Sequence, residues 1–440
     1  MPGRRGQRSA ARSRGPLWVW PAASGLVAVA VSWALGQVEP RSGFLAGLWP
    51  ADTSAAGTLL QLVATTAVTI ATLTFSITIV ALQLASQQFS PRLLRDFVRD
   101  GVTKRVLSVL TAAFLFAVTG LRGVNSAQPV PTLVLLVAAL LGAACVAALL
   151  AFISHMVRML RVDTMMTRVH DDTRRAIETF YGPYTGHGQR SPDELRLESR
   201  EGRPVHAPRS GFVEVVDTDT LVEAARRRDA VVRIEVRPGD MITMGSPIAT
   251  TWGGSEDLDD AVQAAVVLNN ERTIDQDAAF GFRQLEDIAV KAMSPSINDP
   301  VTAATAIGHM GDLLVWLTGR HLGPTLHADD EGTGRAIVPD RDMRYYLDLA
   351  CGQVTRFGGS EPTLVTALLR MLRDVATACR DDEQRAEVAR AADLVAGELS
   401  PDWSATDAGN VRRHRDQVTA ALEGRLVDAY ADRAGETRSM

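Results

Sequence analysis

Residues 59–85 read LLQLVATTAVTIATLTFSITIVALQLA, a stretch with no Asp, Glu, Lys, Arg or His. A bilayer core asks for about 20 apolar residues in a row, so this run is long enough to cross one. Three other runs share its character: Leu17–Leu35, Val106–Leu121 and Val130–Ile153. Val106–Leu121 is the shortest and stands at the lower limit for a span. Basic residues precede Leu17, as in a signal peptide. Its apolar run is nonetheless long, and Trp18, Trp20 and Trp33 stand near its ends like interfacial anchors. It is read as an uncleaved helix, giving four spans.

Basic residues in the short connections set the expected orientation. The N-terminal tail carries Arg4, Arg5, Arg8, Arg12 and Arg14, and the second connection carries Arg92, Arg95, Arg99, Lys104 and Arg105. The two alternate connections hold one each, Arg41 and Arg122, and Arg158, Arg161 and Arg168 follow the fourth run. The expectation is a multi-pass protein of the plasma membrane with both termini cytoplasmic. The chain of 440 residues has a net charge of −5, which argues against a nucleic-acid partner. Its three cysteines, Cys145, Cys351 and Cys379, are scattered, so neither a disulfide framework nor a zinc site is expected. No cofactor is implied.

Within the opening stretch the polar residues are ordered. On a wheel at 100° per residue, Thr58, Gln61, Thr65, Thr69, Thr72, Ser76 and Gln83 fall within about 80°, with Ile79 and Val80 flanking the arc toward its cytoplasmic end. One reading is helix packing, with hydroxyls bonded to carbonyls of their own helix or across to a neighbour. The other is a pore or solvated groove in which the apolar pair forms a dewetting constriction. No ionisable residue sits mid-span, which argues against a proton-coupled transporter. The helix is expected to break at Ser90-Pro91. Beyond it, Arg92, Arg95 and Arg99 share one helical face, read as a positive-inside anchor or a contact with anionic head groups.

The remaining chain is read as a water-soluble α+β region, a small β-barrel-like subdomain followed by helices. The expected divisions are a four-helix transmembrane domain at 1–160, a helical connector and linker at 161–204, a β subdomain at 205–253 and a helical domain at 254–435. The connector is read as extending the fourth span, and Tyr181–Pro204 as a linker. In the β subdomain Gly211–Val216 is one strand, and Val232, Ile234 and Val236 alternate with charged residues in another. Pro238-Gly239-Asp240 then turns the chain into Met241–Met244, and Gly245-Ser246-Pro247 breaks before Ile248–Trp252. This order is similar to the hairpin of biotinyl and lipoyl carriers. Such a carrier needs a lysine at a tight turn, and the only lysines are Lys104 and Lys291. Beyond Trp252 helices are expected: one opened by Ser255, one by a Thr273-x-x-Gln276 capping box, one by Asp299-Pro300, and two or three more from Arg341 to about Tyr430. Arg320–Pro339 reads as a mobile loop, and the last ten residues as frayed.

Several of these residues carry a resemblance. Thr72-x-Thr74-Phe75-Ser76, Leu82-Gln83 and Gln88-Phe89-Ser90-Pro91-Arg92 at the membrane form one set. Glu271-Arg272-Thr273-x-x-Gln276-Asp277, Phe280-Gly281-Phe282, Leu285-x-Asp287-Ile288-Ala289 and Ser294-Pro295-x-Ile297-Asn298-Asp299-Pro300-x-Thr302-Ala303 form a second. Together they resemble the bacterial family of predicted membrane proteins known as domain of unknown function 2254. The resemblance covers most of the chain and implies topology and fold, not a chemistry.

The second set holds a polar cluster of Glu271, Arg272, Gln276, Asp277, Asp287, Lys291, Asn298 and Asp299. A structural network or subunit interface, a ligand site and an active site all remain open for it. Asp277 and Asp287 are ten residues apart and need not converge, and no histidine lies between His206 and His309. With no nucleophile beside a base, no metal cluster and no phosphate loop, an enzyme is not expected. His155, His309, His321 and His327 have no ligand-spaced partners in sequence. Two functions are then carried forward. One is an oligomeric channel-like transport protein lined by the second span, with a cytoplasmic regulatory domain. The other is a non-transporting membrane scaffold or sensor that binds a protein or small ligand. The bilayer and further copies of the chain are the expected partners, and no soluble partner is identifiable.

Overall fold

The computed structural model describes residues 18–37, 53–88, 101–124, 132–186, 192–195, 197, 201–254, 257–397 and 402–431. They divide into two compact units, 1–164 and 165–440. The first contains four helices long and apolar enough to cross a membrane: α1 (Val19–Gly36), α2 (Thr53–Gln88), α3 (Gly101–Val124) and α4 (Thr132–Met159). Within the described residues each follows its apolar run. The third exceeds its run, because Val102, Thr103, Lys104 and Arg105 continue the helix in front of Val106. Its 24 residues give about 36 Å, enough for a span.

In this unit α3 packs against each of the other three helices. Small residues permit the close approach that dispersion forces need when lipid tails are the solvent. A Cβ added to Gly25 of α1 would lie 2.6 Å from Leu115 Cδ1. The hydroxyls of Ser24 and Ser32 donate to the carbonyls of Ser108 and Phe116, both at 3.0 Å, so α1 is bonded to α3. From α2, Leu60, Val63, Ala64, Ala67, Ile70 and Thr74 are buried. Trp18, Trp20 and Trp33 are exposed near the ends of α1.

The next helix along the chain is α5 (Val162–Phe180). It is a separate helix and does not extend α4, since Leu160 and Arg161 lie in a break between them. Tyr181 is buried, and Pro183 bridges to Arg320, so the expected linker is docked at its start. Eight strands follow, interleaved with helices: β1 (Arg203–His206), β2 (Gly211–Val216), β3 (Val231–Ile234), β4 (Met241–Ile242), β5 (Pro247–Trp252), β6 (Val266–Asn269), β7 (Thr325–Ala328) and β8 (Gly334–Val338). They form one sheet of order β1-β5-β3-β8-β7 and another of order β4-β2-β6. No closed barrel is found among the described residues, which corrects the barrel-like expectation.

The reason lies in the Pro238-Gly239-Asp240 turn. It does not fold β3 and β4 into a hairpin. It carries the chain from one sheet to the other, so that β3 pairs with β5 and β4 with β2. Two other expectations also fail. Arg320–Pro339 is no loop: it contains the β7–β8 hairpin, whose β8 lies parallel to β3 with Val232 opposite Ala336. A helix also stands inside the β region, α6 (Thr218–Arg227), capped by the Asp217 carboxylate on Thr220 N at 3.1 Å. Val213, Leu221, Val232, Ile234, Ile248, Leu258 and Val262 belong to the core between these strands, α6 and α7 (Asp257–Ala265).

The helical part comprises α8 (Ala278–Ala292), α9 (Pro300–Thr318), α10 (Met343–Gly358), α11 (Pro362–Ala378), α12 (Asp382–Gly397), α13 (Ala405–Leu422) and the short α14 (Leu426–Ala429). Asp299 caps α9 through Thr302 N at 3.0 Å, with Pro300 in the first turn, as expected. The expected Thr273 cap is replaced. Asp277 caps α8 through Phe280 N at 3.2 Å, four residues later. The Ser255 cap, the Ser90-Pro91 break, the Arg92, Arg95 and Arg99 face, the N-terminal arginines, Arg41 and the end of the chain beyond 431 lie outside the described residues.

Candidate functional site

Two polar constellations stand out, one in each unit. The first is on α2. Thr58, Gln61, Thr65, Thr69, Thr72, Ser76 and Gln83 are all exposed, on the opposite side from the residues that meet α3 and α4. The hydroxyls bond backward within the helix: Thr69 to the Thr65 carbonyl at 2.9 Å, Thr72 to Val68 and Ser76 to Thr72, both at 3.0 Å. The hydrogen bonds of these hydroxyls are thus of the intrahelical kind. Gln61 and Gln83 stand about 33 Å apart along the axis, close to the thickness of a hydrocarbon core, and the hydroxyls fill the interval. Apolar ridges border the stripe, with Leu62 and Leu73 on one side and Val68 and Phe75 on the other. Ile79 and Val80 are exposed with it, at 57% and 52%.

The second constellation is buried. Asp277 is 1% exposed and accepts from Phe280 N as helix cap and from Arg272 Nε at 2.6 Å, and the Arg341 guanidinium pairs with it at 3.4 Å. Arg341, 4% exposed, also donates to the Pro238 carbonyl at 2.9 Å, and the Asp240 carboxylate lies 3.7 Å away. The turn is pressed onto this cluster. Gly239 has φ +90°, and a Cβ there would lie 2.0 Å from Asp277 Oδ2, so only glycine fits in both conformation and space. Arg272 stacks on Phe280 and Arg341 on Tyr345, at 5.1 and 5.2 Å. Gln276 accepts from Val216 N at 2.8 Å, adding β2 to the joint.

Beside it the Tyr181 and Tyr346 hydroxyls share a 2.7 Å hydrogen bond, and burial raises both phenols above their ordinary range. Burial likewise pushes the Asp340 carboxyl up to about 6, against the Arg341 amide and guanidinium that favour its charged form. Both oxygens of Asp277 are engaged, Oδ1 by the Phe280 amide and the Arg341 guanidinium and Oδ2 by Arg272 Nε. The arrangement fastens the turn, β2, α8 and the chain before α10 to one another.

The eight motif residues therefore serve separate purposes. Arg272, Gln276 and Asp277 belong to the joint. Asp299 caps α9, and bonds from the Thr302 hydroxyl and amide hold its carboxyl below the usual range. Asn298 takes the left-handed turn before it, φ +49°, a conformation asparagine tolerates better than most residues. Asp287 and Lys291 are one turn apart on α8 and only partly buried, and Glu271 is exposed. Sequence reading missed Arg341, Asp340, Tyr181 and Tyr346, which lie far from the motif in the chain.

A further concavity of about 530 Å³ lies on α9, lined by Val301, Ala304, Gly308, His309 and Asp312 with His170 of α5. The ring of His309 lies 5.2 Å from that of His170, whose Nε2 is 2.7 Å from Asp312 Oδ2. Among the described residues no group of three His, Cys, Asp or Glu is placed to hold a metal ion.

The sequence matches the family described as Predicted membrane protein (DUF2254) over residues 14–374, a range that takes in both constellations. The chain belongs to this family. Similar relatives of this DUF2254 protein are the uncharacterized proteins Mb1321c of Mycobacterium bovis and Rv1290c of Mycobacterium tuberculosis. Each is 29% identical over 388 residues, covering 85% of this chain and 74% of the relative. No solved structure matches it.

Proposed function

We propose that this DUF2254 protein is a channel-like transport protein of the plasma membrane, built from several copies of the chain with α2 of each facing a common axis. One observation carries the reading. The outward surface of α2 bears a line of hydroxyls and amides about 80° wide, while exposed residues of α4 include Leu136, Leu140, Val146, Leu150 and Ile153. Lipid accounts for the second surface. The first suits water, and symmetry brings identical stripes together around an aqueous path with the bordering ridges packed against neighbouring copies. The alternation of basic residues supports cytoplasmic termini, and with them a cytoplasmic C-terminal unit that regulates the path without catalysing a reaction.

Planar-bilayer recording of the purified full chain tests this. A current above that of an empty membrane is expected, falling by about tenfold or more in T69L/T72L/S76L. A current that survives unchanged in T69L/T72L/S76L defeats the proposal. Protease added outside intact cells is expected to leave the C-terminal unit whole.

The concavity on α9 favours a second reading, in which that unit holds a small ligand or peptide and the membrane helices serve as an anchor. Capture of nothing by immobilised full-length protein, in a detergent extract that retains the bilayer's other proteins, would count against it.

A further inference from the structure

The stripe on α2 is interrupted once. From Thr58 to Ser76 an exposed hydroxyl or amide recurs at every turn or nearly so, and Gln83 resumes the series. Across the seven-residue step from Ser76 to Gln83, about 10 Å of helix, the outward side chains are Ile79 and Val80. Thr78, the hydroxyl residue in that interval, points away from the stripe and donates to the Thr74 carbonyl at 2.7 Å. The step therefore offers water no hydrogen-bonding side chain on that face, and both apolar groups are branched at Cβ and stiff in χ1.

We infer that Ile79 and Val80 are the gate of the path. This rests on the reading of α2 as its lining. In a ring of identical helices the pair becomes two adjacent apolar collars, one turn beyond Ser76 and one turn short of Gln83. A narrow apolar collar expels water, because confined water there loses hydrogen bonds that the wall cannot replace. An ion crossing it would have to shed its hydration with no polar group to compensate, whereas Thr69, Thr72 and Ser76 on one side and Gln83 on the other supply such groups. The collar is closed by its chemistry and opens when its radius grows. Neither side chain supports the fold of its own chain, since each is more than half exposed, so the pair is free to serve this role.

Single-channel recording of the full chain in symmetrical potassium chloride, at one voltage and one protein density, reads the gate. The wild type is expected to be mostly closed. I79S/V80S, which gives the collar hydroxyls, is expected to pass at least about tenfold more mean current. I79T/V80T keeps the branched shape and is expected to rise likewise, which covers a failure of the serine variant to fold. I79L/V80L, still apolar, is expected to match the wild type. If the wild type conducts freely, loses its current in T69L/T72L/S76L and is unchanged by serine or threonine at the pair, the gate is wrong and the lining stands. If no variant conducts, both fall.

Discussion

Asp277 and Thr72 are both polar side chains on helices, and the molecule treats them in opposite ways. Asp277 is enclosed, and its oxygens are met by the Phe280 amide, by the nearby Arg272 and by Arg341 from far along the chain. Thr72 faces outward from an apolar unit, and its hydroxyl is satisfied by its own helix. The first arrangement is complete within one copy. The second is a polar face on a helix whose exposed neighbours include Leu62, Val68, Leu73 and Phe75. The serines of α1 sharpen the contrast, for they turn inward and bond α1 to α3. Polarity in the membrane unit is thus used both to close the bundle and to mark one outer face.

The comparison breaks most decisively if leucines at Thr69, Thr72 and Ser76 spare the current. The expected result is a loss of about tenfold or more with the melting temperature in detergent unchanged, because these side chains are exposed. The opposite outcome is expected from D277A, which leaves Arg341 buried without its carboxylate. It should lower stability by about 3–5 kcal/mol, read as a fall in melting temperature. G239A places a methyl against Asp277 and an L-residue at φ +90°, and is expected to cost about 1–3 kcal/mol in the same assay.

Asp340 gives a smaller effect that depends on pH. Its folded-state carboxyl titrates near 6, above its unfolded value, so the charged form costs stability above that pH and the cost is relieved as pH falls toward 4. D340N is expected to be the more stable protein at pH 8 by about 1–2 kcal/mol, allowing for solvent screening, and to lose that advantage by pH 4. Smallest of all, N298A is expected to cost about 1 kcal/mol and N298G nearly nothing, since the position asks only for a left-handed backbone.

The membrane unit was legible because its signals are local. Run length marks the four helices, and a wheel orders the polar face of α2. The Asp299-Pro300 start of α9 was legible for the same reason. The joint around Asp277 was half legible: Arg272 and Gln276 lie within a few residues of it, but Arg341 arrives from beyond α9 and the β7–β8 hairpin. That hairpin was hidden by composition. Gly332 and Gly334, with Asp329, Asp330 and Glu331, read as a loop, yet Asp329 turns the hairpin by accepting from Thr333 N and Arg335 Nε, both at 2.8 Å. Pro238-Gly239-Asp240 misled in another way. The residues of a tight turn were present, but a turn reports a change of direction and not which strand lies opposite.

The parallel pairing of β3 with β8 has a consequence for synthesis. Roughly a hundred residues separate the paired positions, so an edge of β3 emerges from the ribosome long before the strand that will cover it. For that interval the nascent sheet presents unpaired amides and carbonyls, a template on which a neighbouring nascent chain could pair instead. A fragment stopped ahead of Gly334 would carry that open edge permanently, so any attempt to produce the second unit alone has to run through β8 to yield a product that stays dispersed.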